Sequence, residues 1–208
     1  MPLDNALPLL PRLRDRLRDY RPSPDRIDAA VLIPVTDAPV PELILTRRAS
    51  HMTSHAGEVA FPGGKCDPVD TSIIATALRE SREEIGLAEH SVEIIGELDA
   101  FTSRLGLRVQ PIVGMVPDDA PLVLNPDEIE SVFRVPLAFF LTEAPAYTHR
   151  VRFMGQDITV PSFNFSDYVI WGLTAAMIVD LVHRVYDHQI DFRWPALFVP
   201  STDQGSAA

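Results

Sequence analysis

The chain has 208 residues, 46% of them apolar and 23% charged, enough apolar material for one domain with a substantial core. Its 18 lysines and arginines stand against 29 aspartates and glutamates, a formal net charge of -11. That balance disfavours nonspecific nucleic-acid binding, and it admits polyanionic small molecules only with the help of metal ions or a local basic patch.

Residues 6–20 carry Leu9, Leu10, Leu13 and Leu17 at helical spacing among arginines and aspartates. They predict an amphipathic helix that starts no earlier than Pro8 and ends before Arg21-Pro22-Ser23-Pro24. Its apolar face is expected to pack on the domain or on a partner chain, and a homodimer is one such use. This segment lacks the uninterrupted apolar core of a signal peptide. The longest uncharged apolar stretch, Tyr168 to Val179, is well short of the roughly 20 residues a bilayer-spanning helix needs. A soluble protein without membrane or nucleic-acid partners is expected. Cys66 is the only cysteine, so no intrachain disulfide or multi-cysteine zinc site can form, which fits a reducing cytoplasm.

Strand patterns follow at Ala29 to Val35 and Glu42 to Arg47, with Pro39 and Pro41 marking the turn between them. Phe61-Pro62-Gly63-Gly64 reads as a breaker. Asp70, Thr71 and Ser72 offer N-caps for a helix that runs to about Ile85, where Gly86 stops it. Further strands are expected at Val92 to Leu98, Val109 to Val116, Ser131 to Val135, Thr148 to Phe153 and Ile158 to Phe163. A last helix, Leu173 to Tyr186, carries Leu173, Met177, Ile178, Leu181, Val182 and Val185 on one side. Dominant strands with well-separated helices predict a mixed β-sheet sandwiched between helices.

The chemistry concentrates in Arg79-Glu80-Ser81-Arg82-Glu83-Glu84-Ile85-Gly86-Leu87. On a helix Glu80 and Glu84 lie roughly 40° apart, with Glu83 about 60° to the other side of Glu80. Ile74, Ala77, Leu78 and Ile85 form a separate apolar stripe. The carboxylates can therefore cluster while the helix stays anchored. Like charges at this spacing cost a helix about 0.2–0.5 kcal/mol per pair, a penalty that a bound cation reverses. Hard divalent ions such as Mg²⁺ take carboxylate oxygens and leave room for phosphate oxygens. Taken alone, a solvated charged face is the commoner explanation of such a string. Gly63-Gly64 changes that balance, because glycine lets the backbone approach a ligand closely. Upstream, residues 43–57 contain no acidic side chain but hold Arg47, Arg48, His51 and His55, a local positive field suited to several phosphates. Solvated strand-end charge is the alternative for Arg47 and Arg48.

Together the loop and helix resemble the Nudix box, G-x5-E-x7-R-E-U-x-E-E-x-G-U with U a bulky apolar residue. Three departures stand out: Asp70 where glutamate is usual, one extra residue before Arg79, and Ser81 in place of an apolar residue. Leu45-Thr46-Arg47-Arg48-Ala49-Ser50, followed by Gly57 and Phe61-Pro62-Gly63-Gly64, resembles the signature of the coenzyme A pyrophosphatase branch, with Thr53 where that signature has arginine. Segments around Phe101 to Arg104, Asn125 to Leu137 and Trp171 to Ile178 extend the resemblance over residues 28–187. It implies the α/β/α Nudix fold, with residues 1–27 as helix and linker, 28–190 as the Nudix hydrolase domain and 191–208 as a tail. It also implies Mg²⁺ or Mn²⁺ held by Glu80, Glu83 and Glu84, with the Gly63 carbonyl as a further ligand. The candidate catalytic set is Glu80, Glu83, Glu128 and Glu130, with the general base open among Glu80, Glu128 and Glu130. The candidate substrate contacts are Arg47, Arg48, His55, Lys65 and Arg104. The implied reaction is hydrolysis of coenzyme A or its derivatives to 3′,5′-ADP and 4′-phosphopantetheine. ADP-ribose, dinucleoside polyphosphates, nucleoside triphosphates and a non-catalytic nucleotide sensor are the competing readings.

Overall fold

The computed structural model describes residues 9–22, 26–52, 55–153 and 155–191. In chain order these form α1 (Leu9–Arg18), β1 (Ala29–Asp37), β2 (Glu42–Arg48), β3 (Val59–Ala60), β4 (Gly63–Lys65) and α2 (Ile73–Ile85). A single 3-10 turn at Glu89–Ser91 leads to β5 (Glu93–Glu97), β6 (Phe101–Thr102), β7 (Arg108–Pro117) and β8 (Ile129–Pro136). The chain continues through α3 (Phe139–Thr142), β9 (Tyr147–Phe153), β10 (Gln156–Phe165), β11 (Tyr168–Ile170) and α4 (Gly172–Tyr186).

The main sheet runs β3-β2-β1-β7-β5, with β8 on β2 and β6 on β7. β1 and β7 pair in parallel from Ala29↔Val109 to Asp37↔Pro117, and the other pairings are antiparallel. Alternation along the strands divides the core between two faces. Ala30, Leu32, Ile44, Ile112 and Val116 meet Ala77 and Ile85 of α2 on one side. Ile33, Val35, Leu43, Leu45, Val113 and Met115 meet Leu13 and Leu17 of α1 and the apolar residues of α4 on the other. Helices therefore cover both faces, as the sequence pattern predicts. A separate three-stranded sheet, β11-β10-β9, lies beside α4.

Besides the short elements β3, β6, α3 and β11, which the sequence pattern does not predict, two elements differ from expectation. The Phe61–Gly64 breaker contributes a short strand, β4, whose Gly63 and Gly64 pair with Val31 and Ala30 of β1. Glycine is needed there, because a Cβ on Gly63 would lie 2.3 Å from the Ala30 carbonyl oxygen. The last helix is buried around most of its circumference, Thr174 to Val182 included, because α1 covers its outer side.

α1 is fixed by more than its two buried leucines. Arg12 Nε donates to the Val185 carbonyl at 2.6 Å, and the Tyr186 hydroxyl donates to the Leu9 carbonyl at 3.0 Å. Arg14 forks onto the Glu93 carboxylate of β5. Leu13 and Leu17 are thus used within the chain, and a homodimer would need another surface. Beneath α1, Arg184 donates from Nε to Asp180 Oδ1 at 2.5 Å and from Nη2 to Asp99 Oδ2 at 2.6 Å. The Tyr20 ring lies 4.7 Å from the Arg184 guanidinium carbon. Asp180 is 1% exposed, and its Oδ2 has no hydrogen-bond partner among the described residues. Among the described residues, no helix is long and apolar enough to cross a membrane.

Candidate metal centre

The ends of α2 are set by local chemistry. Ser72 Oγ accepts the Ala75 N–H at 3.0 Å, and Gly86 closes the helix at φ 67°, donating its N–H to the Arg82 carbonyl at 3.0 Å. Ala77 and Ile85, both fully buried, anchor α2 against β1. Full burial of an Ile side chain contributes about 1.5–3 kcal/mol, well above the repulsion expected among the glutamates. Ser81 is also fully buried, and its hydroxyl donates to the Ala77 carbonyl at 2.7 Å. That bond is how a serine occupies a position where an apolar residue is usual.

With that stripe anchored, the carboxylates turn toward β4. A Cβ on Gly64 would lie 2.4 Å from the Glu80 carboxyl carbon, so only glycine lets this backbone and this side chain approach so closely. Glu84 is 2% exposed. Its Oε2 accepts the Gly63 N–H at 3.0 Å and its Oε1 accepts Arg48 Nη1 at 3.1 Å. Burial pushes the Glu84 carboxyl up to about 7, opposed by the Gly63 amide and the Arg48 charge and reinforced by the charges of Glu128 and Glu80. Burial also raises the Glu80 carboxyl; Arg79 opposes that shift, and Glu83 and Glu128 add to it.

Arg79 joins the loop to the helix. It donates to Asp70 Oδ1 from Nε at 2.9 Å and to Asp70 Oδ2 from Nη2 at 3.0 Å. It also reaches Glu80 Oε1 at 2.9 Å, Glu83 Oε2 at 3.1 Å and the Lys65 carbonyl at 3.1 Å. Asp70 further accepts the Thr76 hydroxyl and the Asp67 amide, each at 2.8 Å. The Arg79 guanidinium holds the Asp70 carboxyl well below the ordinary carboxylate range. The shorter Asp70 side chain and the extra residue before Arg79 thus coexist with a two-pronged contact. Ser72 is the N-cap among the three candidates, and the signal for the Asp70–Arg79 pair in the sequence is an acidic side chain in the loop ahead of an arginine.

The remaining candidates divide by position. Glu128 is partly buried, and its charge acts on both Glu80 and Glu84. The loop that carries it is docked on the end of α2 by Val123 N–H to the Ile85 carbonyl at 2.8 Å and Asn125 N–H to the Glu84 carbonyl at 2.9 Å. Glu130 is the residue skipped where the β2–β8 register shifts, and it pairs loosely with Arg47 at 3.7 Å. By strand alternation Arg47 belongs to the face of Leu43 and Leu45, whereas Arg48 belongs to the α2 face. His55 is exposed and 2.7 Å from Glu58, and His51 Nε2 lies 3.1 Å from the Asp127 carbonyl oxygen. The Lys65 side chain is exposed beside α2, and Arg104 lies in the exposed turn between β6 and β7. Thr53 lies outside the described residues.

Glu80 and Glu84 lie against a glycine strand that a Cβ would obstruct, the charges of Glu83 and Glu128 act on Glu80, and hard oxygen donors of this kind suit Mg²⁺ or Mn²⁺. Among the described residues, no three acidic, imidazole or thiol groups surround a common point. Arg79 bridges Glu80 and Glu83 and Arg48 holds Glu84, each bond occupying one lone pair on its oxygen and leaving another to accept a cation.

A family model described as NUDIX domain matches residues 26–153. A Photorhabdus laumondii protein named as an uncharacterized Nudix hydrolase, NudL, is 43% identical over 169 residues, 79% of this chain and 90% of that protein. A protein of the same name from Escherichia fergusonii is 39% identical over 183 residues, 88% of this chain and 94% of its own length. Among solved structures, a MutT/nudix family protein from Enterococcus faecalis aligns with a TM-score of 0.50 at 15% identity, covering 89% of this chain and 71% of that one. That last likeness is one of fold.

Proposed function

The chain belongs to the Nudix hydrolase family, enzymes that act on acid anhydrides, and from that premise we propose that it cleaves the diphosphate of coenzyme A or a derivative. The observation that carries the chemistry is the packing of Glu80 and Glu84 against the Gly63-Gly64 strand, with Glu128 in the same electrostatic field. The coenzyme A substrate is supported by the sequence signature running from Leu45 through Gly64. Glu80, Glu83 and Glu84, with the Gly63 carbonyl, would hold Mg²⁺ or Mn²⁺. When bound, the cations neutralise diphosphate charge and favour attack by water.

The residues of the chain then divide the work. Glu80 or Glu128 takes the proton of the attacking water. The water oxygen bonds to one phosphorus, the bridging P–O bond breaks, and the departing phosphate carries the electron pair away. The products are 3′,5′-ADP and 4′-phosphopantetheine. Arg47, His55, Lys65 and Arg104 are proposed to meet the substrate phosphates, and Glu130 is poised to orient Arg47. Arg48, by contrast, is engaged with Glu84.

The test is a metal-dependent assay over coenzyme A, ADP-ribose, dinucleoside polyphosphates and nucleoside triphosphates, with products identified by mass. Coenzyme A is expected to yield 3′,5′-ADP with Mg²⁺ or Mn²⁺ and nothing with excess chelator. Glu80→Gln is expected to lower kcat by about 10²–10⁴-fold. Preferential turnover of another member of the panel would replace the substrate assignment and leave the chemistry in place.

A further inference from the structure

We propose that Arg48 is a positioning residue for Glu84 and not a substrate contact; this rests on the reading of Glu80, Glu83 and Glu84 as divalent-cation ligands. Consecutive residues of a strand point to opposite faces, so Arg47 and Arg48 cannot share one task by adjacency alone. Ile44 of β2 packs with α2, and Arg48 stands four residues later on that same face. Both its backbone polar groups are held by the segment before β3: its N–H donates to the Glu58 carbonyl at 3.0 Å, and its carbonyl accepts the Gly57 N–H at 3.1 Å. Its side chain is 19% exposed, and Nη1 lies 3.1 Å from Oε1 of a Glu84 side chain only 3% exposed.

Glu84 thereby receives one donor on each oxygen, Arg48 on Oε1 and the Gly63 amide on Oε2. Two donors from different elements, β2 and β4, fix the rotation of the carboxylate, while each oxygen keeps a lone pair for a cation. A carboxylate buried this deeply is stable in its charged form only beside a compensating charge. Arg48 is that charge. Arg47 differs in kind, because it is more exposed and its ion pair with Glu130 spans 3.7 Å.

The experiment measures Mn²⁺ binding to metal-free protein by the loss of the free-ion electron paramagnetic resonance signal, alongside kcat and KM for coenzyme A. Arg48→Met is expected to weaken Mn²⁺ binding by roughly 10–100-fold, the usual cost of removing a partner of a metal ligand. KM at saturating metal stays near the wild-type value while kcat falls. Arg48→Lys recovers part of the affinity, and in a Glu84→Gln background Arg48→Met weakens binding no further. Melting temperatures of the metal-free variants separate lost metal from lost fold. Unchanged or tighter Mn²⁺ binding together with a raised KM would overturn the proposal in favour of a substrate contact. Wild-type protein that binds no Mn²⁺ overturns both this role and the metal reading. Wild-type protein that binds Mn²⁺ but leaves coenzyme A intact removes the substrate assignment alone, and the binding comparison still decides the role of Arg48.

Discussion

Asp70 receives two N–H groups from Arg79, the Thr76 hydroxyl and the Asp67 amide, so one carboxylate ties the loop after β4 to the middle of α2. Its side chain is 6% exposed and that of Arg79 is 19% exposed. Asp70→Asn would remove the charge and leave Arg79 a single neutral oxygen at this position in place of the two-pronged carboxylate. Breaking such a shielded pair from one side costs about 2–4 kcal/mol, which in a domain of this size lowers the melting temperature by roughly 5–15 °C. Calorimetry at neutral pH measures that loss. The pH dependence has a defined sign. Because the folded carboxyl titrates below its ordinary value, its contribution is fully present above the unfolded pKa near 4 and disappears as pH falls through the folded one. The variant should therefore show a shallower loss of stability on acidification than the wild type, and parallel acid limbs would contradict this account of Asp70.

At the scale of elements, α2 and the loop after β7 meet at Gly86. Its φ of 67° is unfavourable for other residues, and a Cβ there would lie 2.9 Å from atoms of Val123. Gly86→Ala is expected to cost about 1–2 kcal/mol from the left-handed backbone alone. It should also loosen the Val123 and Asn125 amides from the end of the helix, visible as faster hydrogen exchange at those two positions. Retained protection there would show that the loop does not depend on this junction. The long strands, the capped helix and its glutamates were legible in the sequence because each has a period or a cap chemistry of its own. The two- and three-residue strands β3, β4, β6 and β11 were not, because pairing defines them and no periodicity fits in so few residues. The same limit applies at the site. Glu80, Glu83 and Glu84 declare themselves on one helix, whereas the partnership of Arg48 with Glu84 joins residues 36 apart along the chain. Asp180 was equally hidden, since a charged residue in an apolar helix reads as the exposed side until a second helix is seen to cover it.

At the scale of the molecule, Asp180 is a buried group with an oxygen left unpartnered among the described residues. Burial pushes its carboxyl up to about 7, against the pull of Arg184, with Asp99 adding to the rise. A folded pKa above the unfolded value near 3.8 means that the native state binds the extra proton, so this group's contribution declines as pH rises from about 4 to about 7. Tyr20, Asp99 and Arg184 surround it, and burial followed by contact with Asp99 raises the Tyr20 hydroxyl, so that side chain stays neutral throughout this range. Asp180→Asn removes the titration while keeping the shape. Its melting temperature relative to wild type should increase by several degrees between pH 5 and pH 8, given about 1.4 kcal/mol for each unit of pKa displacement. A constant difference across that range would mean that Asp180 does not titrate there.

The clasp between α1 and α4 has a consequence for how the protein is made. The contacts of Arg12 with Val185 and of Tyr186 with Leu9 each span more than 170 positions, 173 and 177 respectively. An emerging polypeptide therefore carries Leu13 and Leu17 out of the ribosome long before the helix that shelters them has been translated. Vectorial synthesis leaves that leucine pair waiting, and the first helix settles into place only after the last one has been released. Closing so wide a loop is slow, and until it closes Leu13 and Leu17 stay uncovered.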